Sequence, residues 1–382
     1  MRVLKIDHKT ARNLVVLGVI FSFLLVSCLK SKTIPYESDT IILRWHKSYD
    51  SNTFQNAIDA LDWGLSHIGA KNRISSENQL GALNRLIVDP DLIGLPHEGE
   101  QVLRQLHTVL VQSEFYKKNG WLDVGQYLTF LIGSSPHYYA LTGVPYYLNE
   151  WEEQYEILSV AGYINNSGIS VNPREVNFSQ QVDLNQFFVS KEIDSISNEA
   201  LEFEAFDIME NGQLRFGVYD ANGNRINVAA PVFSNAGKPG KCMWCHESAI
   251  QPLLSPQINL QGYLPAEQLD DTLWYYRLNH KNQQALLLNG VDFTDMGGHV
   301  GMELSYISYL EPSAEQLALE WGVEVEEVLS TLSEIETHEQ EEYPFLGERY
   351  WRDEVNEFSP ISFLASPKDV RESTGQEINL LE

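Results

Sequence analysis

The segment 201–230, LEFEAFDIMENGQLRFGVYDANGNRINVAA, constrains the fold more than any other stretch of the chain. Its residues follow a two-residue alternation, and Asn211-Gly212 and Asn222-Gly223 interrupt it where hairpins would turn. Asn and Gly both tolerate the positive φ of a type I′ turn, so the pattern predicts consecutive antiparallel hairpins. Leu214, Phe216 and Val218 then share one face of the middle strand. The same period begins near residue 155 and ends near 232, with VDLNQFFVSKEI (182–193) supplying further strands. An antiparallel meander is expected in the middle of the chain.

Helical periodicity flanks it. Phe54, Ala57, Ile58, Leu61, Leu65 and Ile68 recur at helix spacing before Gly69. Val102, Leu103, Leu106, Val109 and Leu110 mark a second helix, with Lys117 and Lys118 in its last turn and Gly120 as its stop. WLDVGQYLTFLI (121–132) reads as a third, and HYYALTGVPYYLNEW (137–151) is aromatic and less regular. Beyond the meander, Leu269, Leu273, Tyr276 and His280 form one stripe, with His280 read as a surface or packing residue. Ser313 and Gln316 make a capping box for AEQLALEW, which Gly322 ends. Val325, Val328, Leu329, Leu332 and Ile335 then line one side of a helix whose other side is acidic.

These periods predict an α+β fold. A helical domain spans 40–150, an antiparallel β domain 151–232, a C-terminal helical domain 233–360, and an irregular tail 361–382. The 382 residues are 43% hydrophobic, which suits a folded protein with a substantial core. The net charge is -27, which disfavours nucleic acid and anionic lipid as partners and suits a basic protein.

The first residues are not expected to belong to the fold. Arg2, Lys5, Lys9 and Arg12 precede an apolar run from Leu14 to Val26, too short for a helix to span a bilayer of about 30 Å. The run ends in Leu25-Val26-Ser27-Cys28, which resembles the lipobox of bacterial lipoproteins. By that resemblance, residues 1–27 are a signal peptide and Cys28 becomes the lipid-bearing N-terminus. Residues 28–39 form a polar tether, and the mature chain lies in the cell envelope, facing the periplasm or held at the outer membrane. An uncleaved anchor helix is the alternative. Cleavage takes away four basic residues and Asp7 and leaves a net charge of -30.

Of three cysteines, the two outside this signal stand in one motif, Cys242-Met-Trp-Cys245-His246, after the loop SNAGKPGK. Cys-x-x-Cys-His is the attachment signature of c-type haem: two thiols reach the vinyl edge of the ring and the adjacent imidazole reaches the iron. Here the chain resembles the c-type cytochromes, over the motif and up to about 60 residues after it. The resemblance implies one covalent haem c, with Cys242 and Cys245 as anchors and His246 as proximal ligand. The haem is expected to sit between the meander and the following helices. Familiar small cytochromes place a helix before the motif, whereas a strand and a Gly/Pro/Lys loop are expected here. Trp244, between the cysteines, is expected at the haem edge, with Leu253, Leu254, Leu264 and Trp274 as a dry wall. For the distal ligand, Met296 in the glycine-rich VDFTDMGGHVGMEL is expected, with His299 and Met302 as alternatives. The competing reading of Met302 is a core helix position beside Leu304 and Ile307, with His299 exposed.

Three other chemistries fit the cysteines: a local disulfide, a thioredoxin-like redox pair, and a zinc site completed by His299 or His338. The sequence has no Gly-x-Ser-x-Gly, no His-Glu-x-x-His, no phosphate-binding Gly-Lys-Ser/Thr loop and no dinucleotide fingerprint. The leading functional expectation is a lipid-anchored mono-haem protein that transfers electrons to or from a basic redox partner. The alternatives are a peroxidase-like haem oxidoreductase with an open iron position, and a non-redox envelope lipoprotein whose cysteines are structural.

Overall fold

Short apolar strands open the chain. In the computed structural model, which describes residues 39–375 and 377–382, β1 (Ile41–Arg44) buries Ile41 and Leu43 completely. It pairs antiparallel with β3 (Arg85–Val88) and parallel with β4 (Leu122–Asp123), while β2 (Gln79–Leu80) extends β3. The proposed signal peptide and Cys28 lie outside the described residues.

Around this small sheet stand the expected helices. Thr53 caps α1 (Phe54–Ser66), α2 spans His97–Gln112, Asp123 caps α3 (Val124–Ile132), and Ser134 caps α4 (Ser135–Thr142). The second predicted helix is broken at Ser113, which ends α2 and caps the separate helical turns of Glu114–Asn119 before Gly120. The N-terminal region is thus not wholly helical. Its strands, of two to four residues, are too short to show a period.

The central meander is present in full. Strands β5 (Gly162–Ile164), β6 (Arg174–Phe178), β7 (Phe187–Ile193), β8 (Ala200–Ile208), β9 (Leu214–Asp220) and β10 (Arg225–Ile226) pair antiparallel in sequence order. The turn geometry differs from the type I′ expectation: Gly212 and Gly223 take positive φ, but Asn211 and Asn222 do not. The side chain of Asn211 is committed elsewhere, donating to Ser66 O and Ala70 O and so tying the hairpin to the end of α1. Asp220 Oδ1 accepts from Asn222 N and Asn224 N and shapes the second turn.

One face of the sheet carries Asp207, Arg215 and Tyr219 against Trp151. The opposite face carries Phe188, Phe206 and Phe216 and meets the helices that follow. α5 (Pro239–His246) and α6 (Ala266–Gln284) lie on this face, followed by α7 (Gly297–Leu310), which packs on α1 and α3, and α8 (Ala314–Trp321). Leu269, Leu273, Tyr276 and His280 are the buried stripe of α6, and His280 packs with Nε2 at 2.9 Å from Gly212 O. The acidic helix is shorter than its pattern, Val325–Thr331, with Val328 buried and Leu329 exposed.

Residues 39–382 make one compact unit, and one cluster of buried side chains runs through all three predicted regions from Ile41 to Val370. The tail from 361 has no regular secondary structure, yet it straps the molecule. Leu380 N donates to His137 Nε2, Ser134 Oγ donates to Ile378 O, and Lys238 Nζ pairs with Glu377 at 2.9 Å. The tail crosses α5 so closely that a Cβ on Gly240 would lie 2.3 Å from Val370 O. Among the described residues no helix is long and apolar enough to cross a membrane.

Candidate functional site

The Cys-x-x-Cys-His motif is the last turn and a half of α5. Pro239 begins this helix, where its missing N–H costs nothing. Helical spacing then puts Cys242, Cys245 and His246 at i, i+3 and i+4, on a single face. All three line a cavity of about 420 Å³ between α5 and the sheet. The other walls are mostly apolar: Ile164, Val176, Phe188, Phe206, Phe216, Ile250, Leu253, Leu254 and Leu273.

His246 is fixed by an unusual backbone. Glu247 and Ser248, neither a glycine, both take left-handed φ, at 48° and 59°. Such residues cost on the order of 1–3 kcal/mol each and persist where packing enforces them. Their effect is to fold Ala249 O back to 3.1 Å from His246 Nδ1. A carbonyl only accepts, so Nδ1 carries the proton and Nε2 keeps its lone pair. Nε2 has no hydrogen-bond partner among the described residues. The ring packs against both Phe206 and Phe216, with centroids 5.1 and 5.3 Å away, and burial lowers its pKa, which keeps it neutral.

Both thiols are free, Cys242 half-buried and Cys245 exposed. Burial raises both pKa values, with the Glu204 carboxylate adding to the effect. They are neutral thiols, unlike the activated thiolate of a thioredoxin-like pair. The two histidines of the zinc alternative do not line the cavity. His338 sits 2.9 Å from Glu311 and stacks on Trp351, and His299 packs against Trp63. Two free thiols, a lone-pair imidazole nitrogen and an apolar cavity on one helix face fit a covalently attached porphyrin.

At one wall the cavity meets a buried charge network that the sequence reading missed. Cross-strand register aligns Arg174 with Glu192 and Glu192 with Glu202. Arg174 Nη2 donates to Glu192 Oε2 at 3.0 Å and to Glu204 Oε1 at 2.9 Å, and Nη1 donates to Glu204 Oε2 at 2.5 Å. Burial raises the pKa of Glu202, opposed by the N–H of Ala230. The one available signal was the alternation Glu202, Glu204, Phe206, which puts two carboxylates on the face of a core phenylalanine.

Trp244 does not reach the cavity. At i+2 from Cys242 it turns away around α5 and lies under the Arg371 guanidinium, 4.5 Å from its ring centroid. Leu253 and Leu254 line the cavity as expected, but Leu264 and Trp274 do not. Neither do Met296, His299 and Met302. Met302 is a buried core residue of α7, in line with the competing reading, whereas His299 is buried rather than exposed. The glycines of this stretch serve helix packing: a Cβ on Gly298 would lie 2.9 Å from the Trp63 ring, and one on Gly301 would lie 3.3 Å from Ala60 Cβ.

His299 neighbours Glu303, whose pKa burial pushes up to about 7 against the opposing pull of Arg371. The folded state therefore holds the Glu303 proton more tightly than the unfolded chain does. The stability tied to that proton is fully present below about 4.5 and lost as pH rises toward about 7. The loss is on the order of 3 kcal/mol. Glu303→Gln is expected to flatten this part of the profile, measured by chemical denaturation between pH 4.5 and 8. An unchanged slope would assign the pH dependence to other groups.

Compared with known proteins, the chain matches no protein-family model, no curated sequence and no solved structure.

Proposed function

We propose that the chain is an exported, lipid-anchored mono-haem c-type protein that transfers electrons. One observation carries this reading: His246, oriented by Ala249 O with Nε2 unbonded, shares an apolar cavity with two free thiols on the same helix face. Cys242 and Cys245 would hold the porphyrin through thioethers, and His246 Nε2 would ligate the iron. When bound, the group supplies a one-electron Fe(III)/Fe(II) couple. The carbonyl of Ala249 fixes the tautomer and angle of the ligating ring. Phe188, Phe206, Phe216 and Ile250 exclude water, which favours the reduced state. The acidic surface favours encounter with a basic redox partner, with rates that fall as salt rises.

A second reading, a haem-dependent oxidoreductase with an open iron position, is favoured by one observation. Among the described residues that line the cavity there is no methionine and no histidine besides His246. The mature chain, produced with cytochrome-maturation machinery, tests both. A denaturing gel stained for covalent haem is expected to show a positive band. Carbon monoxide that alters the reduced spectrum favours the open position, and no change favours a closed electron carrier. A colourless band would leave a structural role for the cysteines.

A further inference from the structure

A second constellation lies far from α5 in the sequence, just beyond β1. Residues 45–48 follow the strand without regular secondary structure, and His46 and Ser48 come together there. Ser48 Oγ lies 3.3 Å from His46 Nε2, and His46 Nδ1 lies 2.9 Å from Asp123 Oδ2. Asp123 is brought there by the parallel pairing of β4 with β1, which sets it beside Arg44. Its other oxygen, Oδ1, caps α3 by accepting from Gly125 N at 2.8 Å and Gln126 N at 3.2 Å. One carboxylate thus anchors a helix with one oxygen and orients an imidazole with the other.

The three side chains border a pocket together with Trp45, Tyr49, Asn52 and Leu304. Asn52 is held with its amide oriented: Oδ1 accepts from Trp45 Nε1 at 2.9 Å and from Ser48 N at 3.3 Å. Its Nδ2 has no hydrogen-bond partner among the described residues and can donate to a developing oxyanion. Burial opposes the charged form of His46, but Asp123, the Glu320 carboxylate and a hydrogen bond to the Gln316 side chain together outweigh burial and raise the ring's pKa. Nucleophile, base, positioning carboxylate and oxyanion donor are recognised by geometry rather than by chain order.

We propose that Ser48, His46 and Asp123 form a hydrolytic triad that cleaves esters of small acyl groups. Ser48 Oγ attacks the ester carbonyl carbon while its proton passes to His46 Nε2. The carbon–alkoxide bond then breaks, and the alcohol leaves with that proton. Water, deprotonated by His46, attacks the acyl-serine, and the carboxylic acid departs as Ser48 regains a proton. Asp123 acts as a positioning residue. The pocket is small, about 20 Å³, so a short acyl group is expected to react faster than a longer one. No step requires haem, so the proposal stands or falls separately from the electron-transfer reading.

The test uses the full mature chain with a fluorophosphonate probe, followed by tryptic mapping, and with 4-nitrophenyl acetate and butyrate as substrates. Labelling at Ser48 is expected, with at least tenfold faster acetate than butyrate hydrolysis. Ser48→Ala should abolish both labelling and hydrolysis; its hydroxyl bonds only His46 among the described residues, so the fold should persist by circular dichroism. Asp123→Asn should lower kcat by at least a hundredfold with KM unchanged, whereas a merely structural loss would reduce the fraction of active protein in proportion to lost fold. Absence of label at Ser48 in the folded chain, or hydrolysis that survives Ser48→Ala, overturns the proposal. Equal acetate and butyrate rates overturn the acyl-size assignment.

Discussion

Arg174→Met is expected to destabilise the protein by about 3–5 kcal/mol at pH 7, a large share of the roughly 5–15 kcal/mol that a folded domain has. Arg174 is the cation within hydrogen-bond reach of Glu192 and Glu204, and both ion pairs are buried or nearly so. Methionine fills similar volume but leaves the neighbouring carboxylates without that counter-charge in a low-dielectric wall. Burial already favours the protonated form of the adjoining Glu202, and removing the counter-charge makes the folded state bind protons more tightly in this wall. The variant's deficit should therefore be smallest below about pH 4.5, the ordinary glutamate value, and grow as pH rises. Urea denaturation of wild type and variant at pH 4.5 and 8 measures this. A deficit below 1 kcal/mol, or one equal at both pH values, would show that the network is hydrated and that the wall is not the dry environment assigned to it.

The second large effect concerns the cofactor. Cys242→Ser with Cys245→Ser is expected to remove all covalent haem from the denatured band while the apoprotein keeps its secondary structure. Both thiols line the cavity and Ser matches their size, so folding should tolerate the exchange. His246→Ala separates anchoring from ligation: the stained band should remain and the spectrum of a histidine-ligated iron should be lost. Haem retained through denaturation in the double variant would overturn the thioether assignment, since no other described cysteine is available.

Much of the fold was legible because its signals are local. The cap at Ser313, the α6 stripe and the Asn-Gly turns depend on neighbours within a few residues. The small N-terminal sheet was not legible. Its pairings join Leu43 to Leu122 and Ile41 to Val88, and strands of two to four residues leave no period to detect. The motif is visible in the sequence as a cluster, but helix rotation decides which of its members face one way. Cys242, Cys245 and His246 share a face, and Trp244 is carried to another. The distal region shows the opposite problem. Glycines near Met296 suggested close approach to a ring, and the close approach exists, but to Trp63 and Ala60 of α1.

By itself, the sequence determined the α+β class, the order of helices and meander, and the presence of two thiols and an imidazole in one short motif. Each rests on residue spacing, which local backbone geometry converts directly into position. Tertiary structure alone decided what faces those groups: three phenylalanines from β7, β8 and β9, a buried Arg174 network, and neither Met296 nor a second histidine. It also decided that His46, Ser48 and Asp123 meet, through a parallel strand pair between residues far apart in the chain. Such meetings depend on which strands and helices pack together, and that choice is made by the burial of the whole core rather than by any single stretch of residues.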